Sequence, residues 1–166
     1  NSNNSQIIGN LYQNKKYYFR IKFPEGWKIE EGDGPNVVQK AVSNNGETIS
    51  IVIKQFQLNG YKISSIKDII SLDDFFKEFP VLMSEKFSDS QIIDYGETKI
   101  NNETAYWTEY TYSGQILDYP IKIIGLTYTL AKGDILYTIV AGALSENYQK
   151  VKPIFLQSIA SFAFEN

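Results

Sequence analysis

Two patterns of hydrophobic positions succeed each other along the chain, one typical of strands and one of helices. In the segment 17–23 apolar side chains occupy every second position, with Arg20 and Lys22 between them, which predicts a half-buried strand. Similar alternation, or enrichment in β-branched and aromatic residues, predicts further strands at 37–42, 48–56, 91–98, 104–112, 121–130 and 135–143. Turn residues such as Asn44-Asn45-Gly46 separate neighbouring strands, so the sequence predicts a sheet built largely from hairpins.

Two other segments show the three- and four-residue spacing of amphipathic helices. The apolar positions of the first are Leu72, Phe75, Phe76, Phe79, Leu82, Met83 and Phe87. Ser71 is its predicted N-cap, because acidic residues follow in the first turn, where they favour the helix dipole. Pro80 lies inside the pattern and predicts a kink or a split. The second helix begins at Ser145, with Tyr148, Val151, Ile154, Phe155 and Ile159 on its inner side.

The order of these elements indicates the fold class. Strands, a helix, strands and a helix follow one another, which favours an α+β fold with a twisted, mostly antiparallel sheet over a parallel α/β fold. With 166 residues the chain has the length of one domain. We expect a flexible polar leader at residues 1–14, which opens with an uncharged run, and a single domain at residues 15–166.

The amino-acid composition excludes several classes of catalytic and metal-binding site. The chain has no cysteine and no histidine, which excludes thiol nucleophiles, serine triads that rely on histidine, and zinc sites built on either residue. We therefore expect no metal and no cofactor. The net charge of −3 argues against nucleic acid, which requires a clustered basic surface. No apolar run reaches the roughly 18 residues that a membrane-spanning helix needs.

The first residue bears on localisation. Asn1 is not an initiator methionine, so we expect a processed or truncated chain. A bacterial lipoprotein cut just after its lipid-bearing cysteine would begin in this way, and so would a chain trimmed of a disordered N-terminus. Contact with a membrane would then depend on an N-terminal lipid anchor that this sequence lacks.

Two groups of acidic residues are candidates for chemistry. Asp73, Asp74 and Glu78 could place paired carboxylates on one helix face, but compensation of the helix dipole is the favoured interpretation. The loop 31–36 offers oxygen ligands for Ca²⁺, but its spacing does not match an EF-hand, and an ordinary turn is favoured.

Aromatic residues supply the candidate binding site. On a regular strand at 104–112, Trp107 and Glu109 share one face, while Tyr106 and Tyr110 share the other. Tyr and Trp recur in binding surfaces because they combine apolar area with a polar group, and Glu109 would be a polar anchor beside Trp107. Trp27, in the turn after the first strand, is a further candidate. For all of these residues, packing within the fold is the favoured alternative.

Several ordered landmarks resemble the PsbP-like family, also described as the Mog/PsbP fold. They are the run 18–27 ending in Pro24-Glu25-Gly26-Trp27, the strand 49–53, the middle strand 102–112 and the terminal Ile159-Ala160-Ser161-Phe162. The resemblance covers residues 17–164. It implies a three-layer α/β/α sandwich, with a central, mostly antiparallel sheet and two main helices, and it implies no shared catalytic residues. Plant members are thylakoid-lumen subunits of photosystem II, the yeast relative binds a small GTPase, and many bacterial members are secreted or lipid-anchored.

Three hypotheses about function follow. The first is a non-enzymatic binding or accessory domain of a secreted or lipid-anchored bacterial protein, located outside the cytoplasm at the cell membrane. The second is an adaptor that binds another protein through a sheet edge or the aromatic sheet face. The third is an enzyme that uses Asp73, Glu78 or Glu109. It is disfavoured because carboxylates with shifted pKa values normally lie in a cleft, which the sequence does not show.

Overall fold

The computed structural model describes residues 5–33 and 36–165. Its strands are β1 Ser5–Ile8, β2 Leu11–Asn14, β3 Phe19–Lys22, β4 Lys28–Glu30, β5 Val37–Val42, β6 Thr48–Gln55, β7 Gln91–Ile100, β8 Glu103–Ile116, β9 Tyr119–Lys132, β10 Ile135–Leu144 and β11 Ala163–Phe164. The helices are α1 Leu72–Lys86, α2 Ser145–Ala160 and a 3-10 turn at Ile66–Asp68.

Seven strands form the larger sheet, in the order β4-β5-β6-β10-β9-β8-β7. Every neighbouring pair is antiparallel, and β7 to β10 follow one another through tight turns. β5 and β6 pair on either side of Asn44-Asn45-Gly46, as the turn signal predicts. Two helices beside antiparallel sheets confirm the predicted α+β class.

A second, four-stranded sheet has the order β1-β2-β3-β11 and was not part of the expected three-layer arrangement. Its first two strands fall within residues 1–14, where the sequence analysis placed a flexible leader. Tyr12 is buried there, with its ring 5.7 Å from that of Phe19 and 6.1 Å from that of Phe23. From Ser5 onward the structure therefore shows paired strands rather than a leader. The short length of β2 and its polar residues Gln13 and Asn14 hid this strand in the sequence, and residues 1–4 lie outside the described residues.

The helices contact opposite faces of the larger sheet. Side chains at alternate positions of β10, such as Tyr137 and Ile139, join the main core with Phe155 of α2. The smaller sheet joins the same core through Phe19, whose ring centre lies 5.8 Å from that of Tyr137. Leu136, at an intervening position of β10, joins Tyr106 of β8, Phe75 of α1 and the 3-10 turn in a second cluster. The larger sheet thus separates two cores.

Helix α1 continues through Pro80, so the expected split of the helical segment into two is wrong. Proline has no N–H to bond the carbonyl one turn earlier, but the rings of Phe75 and Phe79, which precede it, pack against Tyr106 and Tyr110 of the sheet. Ser71 is the N-cap, as predicted, and its hydroxyl accepts a hydrogen bond from the N–H of Asp74 at 3.1 Å.

Strands β8 and β9 extend further than their sequence patterns indicated. Residues 113–120, expected to be a connection, continue both strands to a two-residue turn at Leu117-Asp118. Pairing with β7 ends at Thr111 of β8, and pairing with β10 ends at Ile123 of β9. We call the part of the hairpin from Gly114 to Ile121 the ribbon, because it projects beyond both neighbouring strands.

Candidate functional site

The predicted anchor Glu109 lies beneath α2 and is only 8% exposed. Its carboxylate accepts a hydrogen bond from the Tyr148 hydroxyl and lies 2.9 Å from the Nζ of Lys152. Both partners come from the N-terminal half of α2, so the buried charge is compensated within the fold. This arrangement fixes the helix on the sheet and leaves Glu109 little capacity to bind a ligand.

Tyr148 is held in its neutral form by this environment. Burial, together with the hydrogen bond to Glu109 and the negative charge of that carboxylate, raises the pKa of Tyr148 well above its usual range. A phenol that keeps its proton remains a donor to Glu109. The pair therefore acts as a stable hydrogen bond, not as a proton-transfer couple at neutral pH.

Trp107 lies two residues before Glu109 on the same face, and its indole covers the backbone of Gly96 in the edge strand β7. A Cβ added at Gly96 would come within 2.9 Å of the indole Nε1, so only glycine allows this approach. Trp107 is partly buried against the main core. It remains accessible in part, but Glu109 does not open a pocket beside it.

Tyr106 and Tyr110 occupy the opposite face and are covered by α1. The ring of Tyr106 is 5.4 Å from that of Phe75, and the ring of Tyr110 is 5.7 Å from that of Phe79. The Tyr106 hydroxyl donates to the Ile70 carbonyl at 2.8 Å, and burial raises the pKa of Tyr110 to about 12. Both tyrosines fill the second core, so the open aromatic face predicted for an adaptor is not formed by them.

Trp27 lies apart from β8, beside α2, with its ring 6.1 Å from that of Phe155. A cavity of about 460 Å³ opens next to it, between the turn after β3 and the C-terminal half of α2. Its lining is Asn10, Lys22, Phe23, Pro24, Glu25, Trp27, Ile154, Gln157, Ser158 and Ser161. We call this cavity the Trp27 groove. The structure thus distributes the five predicted residues over three places instead of one site.

The acidic candidates are separated in the same way. Asp73, Asp74 and Glu78 are exposed on α1, where Lys77 lies 3.8 Å from Asp74, while Glu109 is buried against the other helix. In the proposed calcium loop, Asp33 pairs with Lys40 at 2.5 Å, and Gly34 and Pro35 lie outside the described residues. Among residues 5–33 and 36–165, no three acidic side chains are grouped as a metal site would require.

The ribbon is the surface that sequence reasoning missed. Ile116, Leu117 and Tyr119 at its tip are 53%, 88% and 75% exposed. Leu117 and Asp118 have φ values of 48° and 69°, a left-handed conformation that strongly favours glycine or asparagine. Gly114 and Pro120, which are common in turns, made the segment resemble a connecting loop in the sequence.

The fold defines an α+β domain in which one seven-stranded antiparallel sheet lies between two helices and their cores. The model of the PsbP family matches residues 10–164, and the chain belongs to that family, as its sequence landmarks indicated. No curated protein sequence matches the chain. None of the helices in the described ranges is long and apolar enough to cross a membrane.

Solved structures support the same fold. The solution structure of cyanobacterial PsbP (CyanoP) from Synechocystis sp. is similar with a TM-score of 0.70 and 17% identity, over 95% of this chain and 94% of that chain. The crystal structure of LpqN, described as involved in cell envelope biogenesis of Mycobacterium tuberculosis, is also similar. Its TM-score is 0.59 and its identity 11%, over 89% of this chain and 83% of that chain.

Proposed function

We propose that this chain is a non-catalytic binding domain that attaches to another protein through the tip of the ribbon. The observation that carries the proposal is the combination of large exposed apolar side chains with an unfavourable turn conformation at Leu117. Leu117 contributes almost nothing to the core, and its positive φ destabilises the folded state. Exposed apolar side chains held in a strained turn are explained if they contact a partner protein.

The partner surface is best described as an apolar pocket with a basic rim. Ile116, Leu117 and Tyr119 supply apolar and aromatic contacts, and Asp118 places a negative charge among them. A carboxylate at the centre of the tip opposes insertion into the hydrocarbon of a membrane, whereas a lysine or arginine beside a protein pocket would pair with it. A protein partner is therefore favoured over a lipid surface.

Site-specific photo-crosslinking in the source cells tests this proposal. We expect benzoyl-phenylalanine at position 119 to give one discrete crosslinked product, which is lost when Leu117 and Asp118 are replaced by Asn and Gly. The matched control is the same label at Tyr61, which is 64% exposed and lies outside the ribbon. The same products from both positions, or none from position 119, would contradict the proposal.

We further propose that the protein is located outside the cytoplasm and is lipid-anchored. Membership of the PsbP family supports this, as does the fold shared with LpqN, whose description places it in cell envelope biogenesis. The test is the gene sequence upstream of Asn1. A signal sequence with a lipid-accepting cysteine supports the anchor, and an open reading frame lacking both overturns it.

A second candidate function is binding of a small amphipathic ligand or peptide segment in the Trp27 groove. The groove has an apolar wall that includes Trp27 and Ile154, with Lys22 and Glu25 at its polar side. Replacing Trp107 with Phe leaves Trp27 as the one tryptophan, because the chain contains two. A saturable change of its fluorescence, abolished in Ile154→Glu, supports the groove, and a signal unaffected by Ile154→Glu contradicts it.

A further inference from the structure

The outer edge of β7 is the longest strand edge without a partner in the described parts of the chain. The larger sheet ends at β4 on one side and at β7 on the other, and β4 has 3 residues whereas β7 has 10. An exposed edge presents backbone N–H and C=O groups that can pair with another strand. Beyond the proposed function of the ribbon, β7 therefore offers a separate surface for association.

The register of β7 shows which of its backbone groups face outward. Ile100 and Glu103 flank the two-residue turn Asn101-Asn102, so they form a hydrogen-bonded pair. Hydrogen-bonded pairs alternate along an antiparallel ladder, so Lys99, Glu97 and Tyr95 direct their N–H and C=O groups away from β8. Consistent with this, the N–H of Tyr95 donates a hydrogen bond to Oδ1 of the Asp94 side chain, at 2.8 Å, and not to β8.

Charges along this edge are self-complementary. Glu97 and Lys99 are two residues apart, so their side chains point to the same face of the sheet, where Lys67 of the same chain lies 3.0 Å from Glu97. In an antiparallel pair of two β7 strands centred on Thr98, each Glu97 lies directly opposite Lys99 of the other copy. Centring the pair on Glu97 instead would place two carboxylates opposite each other, which is destabilising.

We propose that β7 pairs with β7 of a second copy of this chain about Thr98, which joins the two larger sheets into one continuous sheet. The two Glu97–Lys99 pairs would contribute four backbone hydrogen bonds and two cross-strand ion pairs. The contact is isologous, so it closes at the dimer and does not propagate into a filament. Its small area and exposed charges predict a weak, reversible dimer.

The bulge in β7 limits where the contact forms. The pairing of β7 with β8 shifts between Ile92 and Asp94, which distorts the first part of the strand. The regular part, from Asp94 to Ile100, includes every residue that the proposed register uses. A lysine alone at a sheet edge discourages pairing, but opposite charges two residues apart favour one antiparallel register over others.

Charge reversal tests the proposal on the whole chain by sedimentation velocity from low to high micromolar concentration. We expect Glu97→Lys and Lys99→Glu each to weaken the dimer about tenfold or more, because either variant creates two like-charge pairs. The double variant Glu97→Lys/Lys99→Glu restores opposite charges at both pairs and should recover most of the affinity, because the repulsion that it adds next to Lys67 acts within each chain. Circular dichroism checks that each variant folds.

The opposite edge of the sheet provides a matched control. Lys28 and Glu30 on β4 have the same residue types at the same spacing on an edge strand, with their charged groups 3.6 Å apart. Glu30→Lys should leave the dimer unchanged. A chain that is monomeric at every concentration, a dimer unaffected by both single variants, or a double variant as weak as the single ones would overturn the proposal.

Discussion

At the scale of single residues, Thr108 and Thr127 are two buried threonines whose hydroxyl groups lack hydrogen bonds. They lie directly opposite each other on β8 and β9, on the face that α1 covers, and are 1% and 5% exposed. By distance and angle neither hydroxyl has a hydrogen-bond partner among the described residues, although Tyr110 lies near enough to Thr127 for that threonine to lower the pKa of Tyr110. A buried hydroxyl without a partner destabilises a protein by about 1–3 kcal/mol, so these two side chains lower the stability of the second core.

We expect the double variant Thr108→Val/Thr127→Val to raise the free energy of unfolding by about 1 kcal/mol, because valine keeps the shape and removes the unsatisfied groups. Urea unfolding measures the change. Ser158→Ala is the control, since its hydroxyl donates to the Lys22 carbonyl at 2.7 Å and its loss should be destabilising. A destabilised double valine variant would show that the threonine hydroxyls are bonded, for example by internal water.

At this scale the sequence predicted which side chains point into the core, but not which side chains bond one another. The alternation of Phe19, Arg20, Ile21 and Lys22 predicted correctly which side chains are buried, because a strand's period of two is a local property. The hydrogen bond between Tyr148 and Glu109 joins residues 39 positions apart, and no local pattern specifies it. For the same reason, the placement of Tyr106 and Tyr110 beneath α1 required the tertiary structure.

At the scale of elements, the two helices each carry a proline at the ninth position. Pro80 in α1 and Pro153 in α2 remove one backbone hydrogen bond each, yet neither interrupts its helix. A local rule therefore predicted the missing hydrogen bond but not the continuity of the helix, which packing against the sheet supports. Helix α2 buries five side chains and α1 only Met83, so α1 has less packing to offset this cost.

Replacing Pro80 with alanine should raise the free energy of unfolding by about 1–2 kcal/mol. The restored N–H can bond the carbonyl of Phe76, and alanine favours the helix by up to about 3 kcal/mol, which is partly offset by the greater entropy of the unfolded chain. Thermal unfolding measures the effect. A lower midpoint would indicate that the proline ring itself packs against the sheet.

The ribbon turn supports a second prediction for an element. Asn101-Asn102 and Leu117-Asp118 have nearly the same φ values, but asparagine tolerates the left-handed conformation and leucine does not. Leu117→Asn/Asp118→Gly should therefore stabilise the domain by about 1 kcal/mol. Chemical denaturation checks this value, with Asn102→Gly as a control that should change stability by less. No gain from the double change would mean that Leu117 is not strained.

At the scale of the whole molecule, buried tyrosines determine the response to alkaline pH. Burial raises the pKa of Tyr110 to about 12, and burial also raises the pKa values of Tyr137 and Tyr148 above their usual range. Each phenol keeps its proton more firmly when folded than when unfolded. The resulting stability is complete below pH about 10 and is lost as the pH rises through the folded pKa.

The free energy of unfolding should therefore fall steeply above pH about 10, with Tyr110 alone accounting for about 2–3 kcal/mol by pH 12. Denaturant titrations at a series of pH values measure the slope. Tyr110→Phe should flatten the slope by about one proton equivalent, whereas Tyr61→Phe, at an exposed position, should leave it unchanged. A slope equal to that of the unmodified chain in Tyr110→Phe would contradict this assignment.

The pairing of β6 with β10 has a consequence for how the chain folds. Strands β7 to β10 meet their sequence neighbours, so that meander can form early from local contacts. Gln55 of β6, by contrast, pairs with Ile135 about 80 residues later, which requires closure of a long loop. Docking of the N-terminal strands onto the completed meander is therefore the expected slow step, and until it occurs the hydrogen-bonding edge of β10 is exposed to other chains.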